Sequence, residues 1–408
     1  VFAAAALVFA VVVVFGGSPD RSPEGDVATI PDLAAPPTTG DGPSITPDGT
    51  GDLVGYPTKP AGWRQLDAGP LVSRMGAAVV WADRQLLVWG GRDLTNGFTS
   101  GAMFSPSATG EPAWRTMPRP DVAGGEVTAS VWTGRTLLVA TDAVAVLDPI
   151  GLGWTTGNPP IPIEPFTAAW TGSEVIVVGR SPGDGPSTTV ALAYGAEGSC
   201  CRVLPPPPIV LDHGTAAWNG SRVVLIGGRR DGTERAVLAT YDPDSDTWDT
   251  HGDTPLQGGP GLTAVWSGGS LVAIDADLAG GRWNEAAGWR TMKDPPFELV
   301  GCFTRMAVVG NEVFVWHCRQ AAVYDPASGR WTSISTPVLP SHTISTSCVP
   351  EATGTTVYLW CGNGDGATPL FYAADLGRVE SSRVPDDTRR SRRPRSVGIT
   401  SVPFLRRR

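Results

Sequence analysis

Helix-length amphipathic runs are scarce in this chain, and the stretches between its 51 glycines and 38 prolines favour strands, so the fold class is all-β and an α or α/β architecture is excluded. No glycine-rich phosphate loop, Cys-x-x-Cys pair or His-Glu-x-x-His motif occurs. The usual residues of P-loop nucleotide binding, dithiol redox chemistry and zinc peptidase action are therefore missing. Basic charge is concentrated at one end, where residues 389–408 hold eight arginines and no acid. Setting those eight aside takes the net charge from −9 to −17, which argues against nucleic acid as a partner of the folded part. No Ala-x-Ala site follows the apolar N-terminal run, and no cysteine stands where a lipoprotein would need one.

That run, Val1–Gly17, is uncharged and almost wholly apolar. It is short for a membrane-spanning helix and long for the core of a signal peptide. Two outcomes stay open: an uncleaved hydrophobic helix anchoring the protein in the cell membrane by a single pass, or a cleaved signal and a secreted product. Both put the rest of the chain outside the cytoplasm. Residues 18–60, rich in Pro, Gly, Asp and Thr, cannot bury enough apolar surface to fold and read as a disordered stalk. Residues 386–408 read as a disordered basic tail, able to touch an anionic membrane or wall polymer through simple electrostatics. A chain of 408 residues exceeds one ordinary core unless it is built from repeats, which leaves 61–385 for a repeated domain.

The fullest repeat is His213–Trp248. Apolar runs at Thr215–Trp218 and Arg222–Ile226 flank Asn219-Gly220-Ser221, which predicts a tight antiparallel hairpin. Gly227-Gly228 ends the second strand, Ala236–Tyr241 forms a third, and a turn at Asp242-Pro243-Asp244 leads to a fourth carrying Trp248. Tyr241 and Trp248 stand seven apart across that turn, so both rings can enter one layer. Aligned on the last residue before the first hairpin turn, the chain has seven anchors: Trp81, Trp132, Trp170, Trp218, Trp266, Val308 and Ala352. Their spacings of 51, 38, 48, 48, 42 and 44 residues are those of propeller blades. Leu147 and Trp154, Tyr194 and Cys201, Tyr324 and Trp331, and Tyr372 and Val379 keep the spacing of seven, while Trp114 and Trp289 fill the same slot at other spacings. A further copy of the fourth strand, Gly62–Leu66, precedes the first repeat.

The glycine pair, Tyr241, Asp242-Pro243 and Trp248 resemble a kelch repeat, the four-stranded blade of one class of β-propeller. The resemblance covers about 62–385 and implies seven blades of four antiparallel strands, with a six-bladed ring as the alternative. It implies that Trp63 closes the last blade, in competition with a weak strand around Val379, and that the repeated tryptophans pack neighbouring blades. Trp283 and Trp360 fall outside those slots and remain candidates for ligand contact.

Hairpin register organises the cysteines. A turn at Gly310-Asn311 sets Cys302 opposite a position next to Cys318, and one at Gly354-Thr355 sets Cys348 opposite Cys361. Two disulfides are expected, in keeping with an oxidising compartment. Cys200 and Cys201 form either a vicinal disulfide or free thiols.

Strand direction gathers Arg92, Asp93, His213, Arg229, Arg230, Asp231, His317, Arg319 and His342 on one face, the expected ligand face. The propeller resembles that of the galactose oxidase type of copper enzyme, but the tyrosines sit in structural slots and His213 and His317 lie two blades apart, so no copper site is expected. No Ser-x-Asp-x-Gly-x-x-Trp box of the sialidase type is present, and the Asp-Pro turns at Asp148, Asp242 and Asp325 are structural. The reading is a monomeric, non-catalytic binding module without metal or cofactor, holding a protein or glycan at the cell envelope. An extracellular carbohydrate-active enzyme, glycosidase or oxidase, is the alternative.

Overall fold

A computed structural model describes residues 58–377 apart from 107–112, 123, 184–187, 199–200, 230–233, 300 and 341–347. Seven antiparallel sheets follow one another along the chain as the blades of a propeller. Blade one runs from Met75–Ala82 to Ala113–Thr116, blade two from Ala129–Trp132 to Gly153–Gly157, and blade three from Glu164–Trp170 to Arg202–Val203. Blade four spans His213–Trp218 to Thr247–Gln257, blade five Thr263–Ser267 to Gly288–Thr291, and blade six Thr304–Val309 to Arg330–Ile334. The first strands of successive blades touch all round the ring, including blade seven against blade one, so these strands surround the central channel. The six-bladed alternative is excluded.

Blade seven has three strands of its own, Cys348–Thr353, Thr356–Cys361 and Leu370–Asp375; its fourth is Arg64–Gln65, paired as Arg64 with Ala373 and Gln65 with Tyr372. An N-terminal strand thus completes the C-terminal blade and covers its outer edge. Val379, the expected competitor, lies outside the described residues. One strand was not expected: Thr58–Lys59, inside the stretch read as stalk, runs parallel to the outer strand of blade six, with Thr58 opposite Ser333 and Lys59 opposite Ile334. Two residues are too few to leave a hydropathy pattern, and this pairing extends the domain to at least residue 58.

Each blade is a sandwich filling, apolar on both sides, so the cores lie between blades. In blade four the whole second strand, Val223–Gly228, is buried. The expected turn forms at Gly220-Ser221, closed by the Asn219 amide on the Arg222 carbonyl at 3.0 Å, while the Asn219 side chain accepts the Arg222 amide at 2.7 Å. Gly227 is required by close approach, since a Cβ there would stand 2.2 Å from the His213 carbonyl oxygen.

The aromatic pairs pack as their spacing implies, with ring centroids 5.0 Å apart for Tyr241 and Trp248 and 4.8 Å for Tyr324 and Trp331. The fourth-strand tryptophans also stitch the blades together through their indole N–H groups. Trp114 donates to Asp67, Trp154 to Pro118, Trp248 to Pro205, Trp331 to Lys293 and Trp63 to Ser335, in each case to a backbone carbonyl at 2.6–3.0 Å. Trp289 breaks the series, its buried Nε1 having no hydrogen-bond partner among the described residues. Trp283 and Trp360 are buried core residues, which removes them as ligand contacts. Trp283 takes the place of the repeated tyrosine and pairs with Trp289.

Both expected disulfides are present, Cys302–Cys318 and Cys348–Cys361, the second joining directly paired residues of blade seven. Cys201 is disulfide-bonded as well, with its partner outside the described residues, so it is not a free thiol. The bond between Cys348 and Cys361 closes a separation of 13 residues. Replacing both with alanine is expected to lower stability by about 3 kcal/mol in the chain-entropy picture, read as a shifted denaturant midpoint against the parent in oxidising buffer. An unchanged midpoint would show that the ring closes blade seven without the crosslink.

The apolar run at 1–17, most of the stalk and the basic tail lie outside the described residues. Among those described, no helix is long and apolar enough to cross a membrane.

Candidate functional site

Antiparallel order puts the start of every first strand, the end of every second and the start of every third on one face, the upper face. Most of the charged residues expected there hold loops in place. Arg92 pairs with Glu126 at 3.3 Å, both groups being exposed. Asp93 accepts the backbone amides of Thr95 and Asn96 at 2.7 and 2.6 Å, and these bonds hold its carboxyl below the usual carboxylate range. Arg319 donates to the carbonyls of Leu339, at 2.8 Å, and of Pro340, pinning the segment that leaves blade six. Arg229 is exposed, while Arg230, Asp231 and His342 lie outside the described residues.

His317 is placed inside blade six rather than on its rim. Its Nδ1 is 3.2 Å from the Thr304 hydroxyl and its ring stacks on Phe297 at 5.6 Å. Burial pushes its pKa down, against a smaller opposing contribution from the Glu298 backbone. His213 is half-buried and borders the cavity at the head of the channel.

That cavity, about 370 Å³, opens among the first strands of blades two to six and has the size of a small-ligand site. Its wall is built from short side chains because neighbouring first strands approach closely at the ring centre. Ser130, Thr215 and Thr263, from blades two, four and five, are half-buried with hydroxyls that have no hydrogen-bond partner among the described residues. Thr167 is engaged, accepting the Ala216 amide of the next blade at 2.9 Å. Phe166 adds one half-buried aromatic ring.

The charge in this wall is Arg305, second residue of the first strand of blade six. Among the described residues its guanidinium has no hydrogen bond and no ion pair; the Phe303 ring lies 5.9 Å from its central carbon. Its side chain is exposed, yet the protein around it lowers its pKa by desolvation, while the charge of Glu126 opposes the shift without pairing. Arg74 shows what a satisfied counterpart looks like. It is buried without a carboxylate, burial lowers its pKa to about 10, and it donates to the carbonyls of Val72, Gly90 and Ser100 at 2.9–3.1 Å. Arg74 clamps loops; Arg305 has its donors free.

A second charge stands on an innermost strand. Glu351, on the first strand of blade seven, accepts the backbone amides of Trp81 and Ala352, and burial pushes its pKa up to about 7. Neither residue was singled out from the sequence, although a column-by-column alignment of the blades holds the signal. Three positions before the anchors stand Ala78, Ala129, Thr167, Thr215, Thr263, Arg305 and Val349; one position before stand Val80, Val131, Ala169, Ala217, Val265, Ala307 and Glu351. In each column one charge stands among small or apolar residues of the innermost strands.

Among the described residues, no group of three or more His, Cys, Asp or Glu side chains is placed to hold a metal ion. No family model matches the chain, and no curated protein matches it, so what the protein does has to follow from the chemistry of this channel.

Proposed function

We propose that the protein is an exported, kelch-like binding module that takes its partner, a protein or glycan of the cell envelope, on the upper face of the ring, with the central cavity as the seat. The observation that carries this reading is the cavity at the head of the channel, lined by hydroxyls and an arginine that have no hydrogen-bond or ion-pair partner among the described residues. Such a site offers donors at fixed positions on rigid strands, which is the condition for binding without rearrangement. The disulfides support an oxidising compartment. The rival reading, a carbohydrate-active enzyme, asks for two carboxylates converging within roughly 5–10 Å. The described cavity lining supplies none, and the rim carboxylates Glu126 and Glu164 are held by Arg92 and Arg180.

The test is capture from a cell-envelope extract and on a glycan panel by the full chain. Two variants serve as probes: Ser130→Trp, which fills the cavity, and Asp244→Lys, on an exposed turn of the opposite face. Ser130→Trp is expected to lose at least tenfold in binding while Asp244→Lys keeps it. Loss by the Asp244 variant alone would move the binding site to the other face.

A further inference from the structure

We infer that the ligand of the central cavity is a carboxylated sugar ring, free or at the end of an acidic glycan, with Arg305 holding the carboxylate. This rests on the cavity being the seat of binding. Three features of the wall point to that chemistry.

The first is the state of Arg305. Arg305 lines the cavity, is exposed and, among the described residues, has no hydrogen bond or ion pair, so its fork of donors is open to a carboxylate of matching geometry, held through two parallel N–H to O bonds. A charge with no structural duty in an otherwise neutral wall is what an anion site requires before its ligand arrives.

The second is the distribution of the hydroxyls. Ser130, Thr215 and Thr263 come from three different blades, so they surround the space instead of lining one side of it. A hydroxyl both donates and accepts, as does each hydroxyl of a sugar. A ring bearing several such groups can meet donors on different sides at once. The acidic side chain of a peptide presents its carboxylate alone and would leave these three hydroxyls to water. The third is Phe166, whose half-buried ring supplies an apolar face for the C–H side of a pyranose.

Arg305 is a suitable probe because nothing in the fold depends on its guanidinium: Arg305→Met is expected to keep the melting temperature of the parent or raise it. The experiment is isothermal titration of the full, oxidised chain with glucuronate, with glucose as the neutral sugar, with glutarate as a carboxylate lacking hydroxyls, and with a short uronic acid oligomer. Glucuronate is expected to bind at least tenfold more tightly than glucose or glutarate. Arg305→Met should lose at least tenfold of that binding and Arg305→Lys should restore part of it. Thr215→Ala should weaken glucuronate severalfold without touching glutarate. The oligomer binding more tightly than the monomer assigns the site to a glycan terminus; equal binding assigns it to a free sugar acid.

Equal binding of glucose and glucuronate, or an Arg305→Met variant that binds as the parent does, overturns the anionic ligand. Glutarate binding as well as glucuronate overturns the sugar and favours an acidic peptide. No binding of any probe also overturns the inference. If Ser130→Trp still abolishes capture from the envelope extract in that case, the cavity remains the seat and only the ligand class has failed.

Discussion

Deleting residues 58–66 is expected to lower the melting temperature of the protein by roughly 10 °C or more and to make it self-associate. The segment does three things at once. Arg64–Gln65 supplies the outer strand of blade seven, and Thr58–Lys59 adds a strand to blade six. Between them Trp63 packs edge-on against Phe314 at 6.2 Å and donates to the Ser335 carbonyl at 2.6 Å. The Ser335 amide donates to the Lys59 carbonyl at 3.1 Å and the Ala61 amide to the Ser335 hydroxyl at 2.9 Å, which ties the same segment to the link between blades six and seven. Truncating a packed tryptophan to alanine costs about 3–5 kcal/mol by itself, and half-burial of Trp63 puts it at the lower end. The lost strand pairs add to this and expose a row of amides and carbonyls on blade seven. Thermal melting followed by near-ultraviolet circular dichroism reads the first effect, and size-exclusion chromatography reads the second. Deleting 378–408 is the control and should leave melting unchanged, since Arg64–Gln65 already holds the edge that a strand near Val379 would need. If the two deletions exchange results, the blade closes from the other end.

The parts of the fold that were legible share a physical basis, which is short-range register. Seven residues from tyrosine to tryptophan fix a hairpin with a four-residue loop, 243–246, whose rings must fall on one side, and the pair at 241 and 248 sits directly opposite. The same reasoning placed Cys348 against Cys361. Where the turn changes length the slot disappears from view. Trp283 and Trp289 are six apart around the turn at 285–287, so Trp283 did not register as the residue that replaces tyrosine.

The site was harder to read because burial in a propeller is not a matter of alternation. The second strands are apolar on both sides, so His317, at the end of one, looked like a rim residue although it is almost fully buried. The charged loop residues were visible because they are numerous, yet charge on a loop is most often spent on the loop itself, as Asp93 and Arg319 show. Arg305 and Glu351 were hidden for the opposite reason. Each is a single residue inside a strand, and it acquires meaning only when seven blades are stacked column by column.

Glu351→Gln is expected to stabilise the protein above neutral pH and to flatten its stability between about pH 4.5 and 7. The carboxyl of Glu351 is enclosed by the first strands near the ring centre, its ionised form helped by the amides of Trp81 and Ala352, and burial outweighs them to raise its pKa from 4.5 to about 7. In the unfolded chain it ionises near 4.5. Over the interval between these values the folded protein keeps a proton that the unfolded chain has released, so stability falls as pH rises. The favourable contribution is whole below pH 4.5 and gone once pH has passed 7. The shift corresponds to at most about 3 kcal/mol, and because water reaches part of the side chain a loss of about 2 kcal/mol is the expected value. Glutamine keeps an oxygen for the Trp81 amide and carries no charge at any pH. Urea unfolding at pH 5 and pH 8 measures the effect: the parent should lose stability between them and the variant should not, so that the variant is the more stable at pH 8. A parent and variant with parallel pH profiles would mean that Glu351 is solvated well enough to ionise at its ordinary pKa, and that the channel is wetter at this level than its crowded first strands imply.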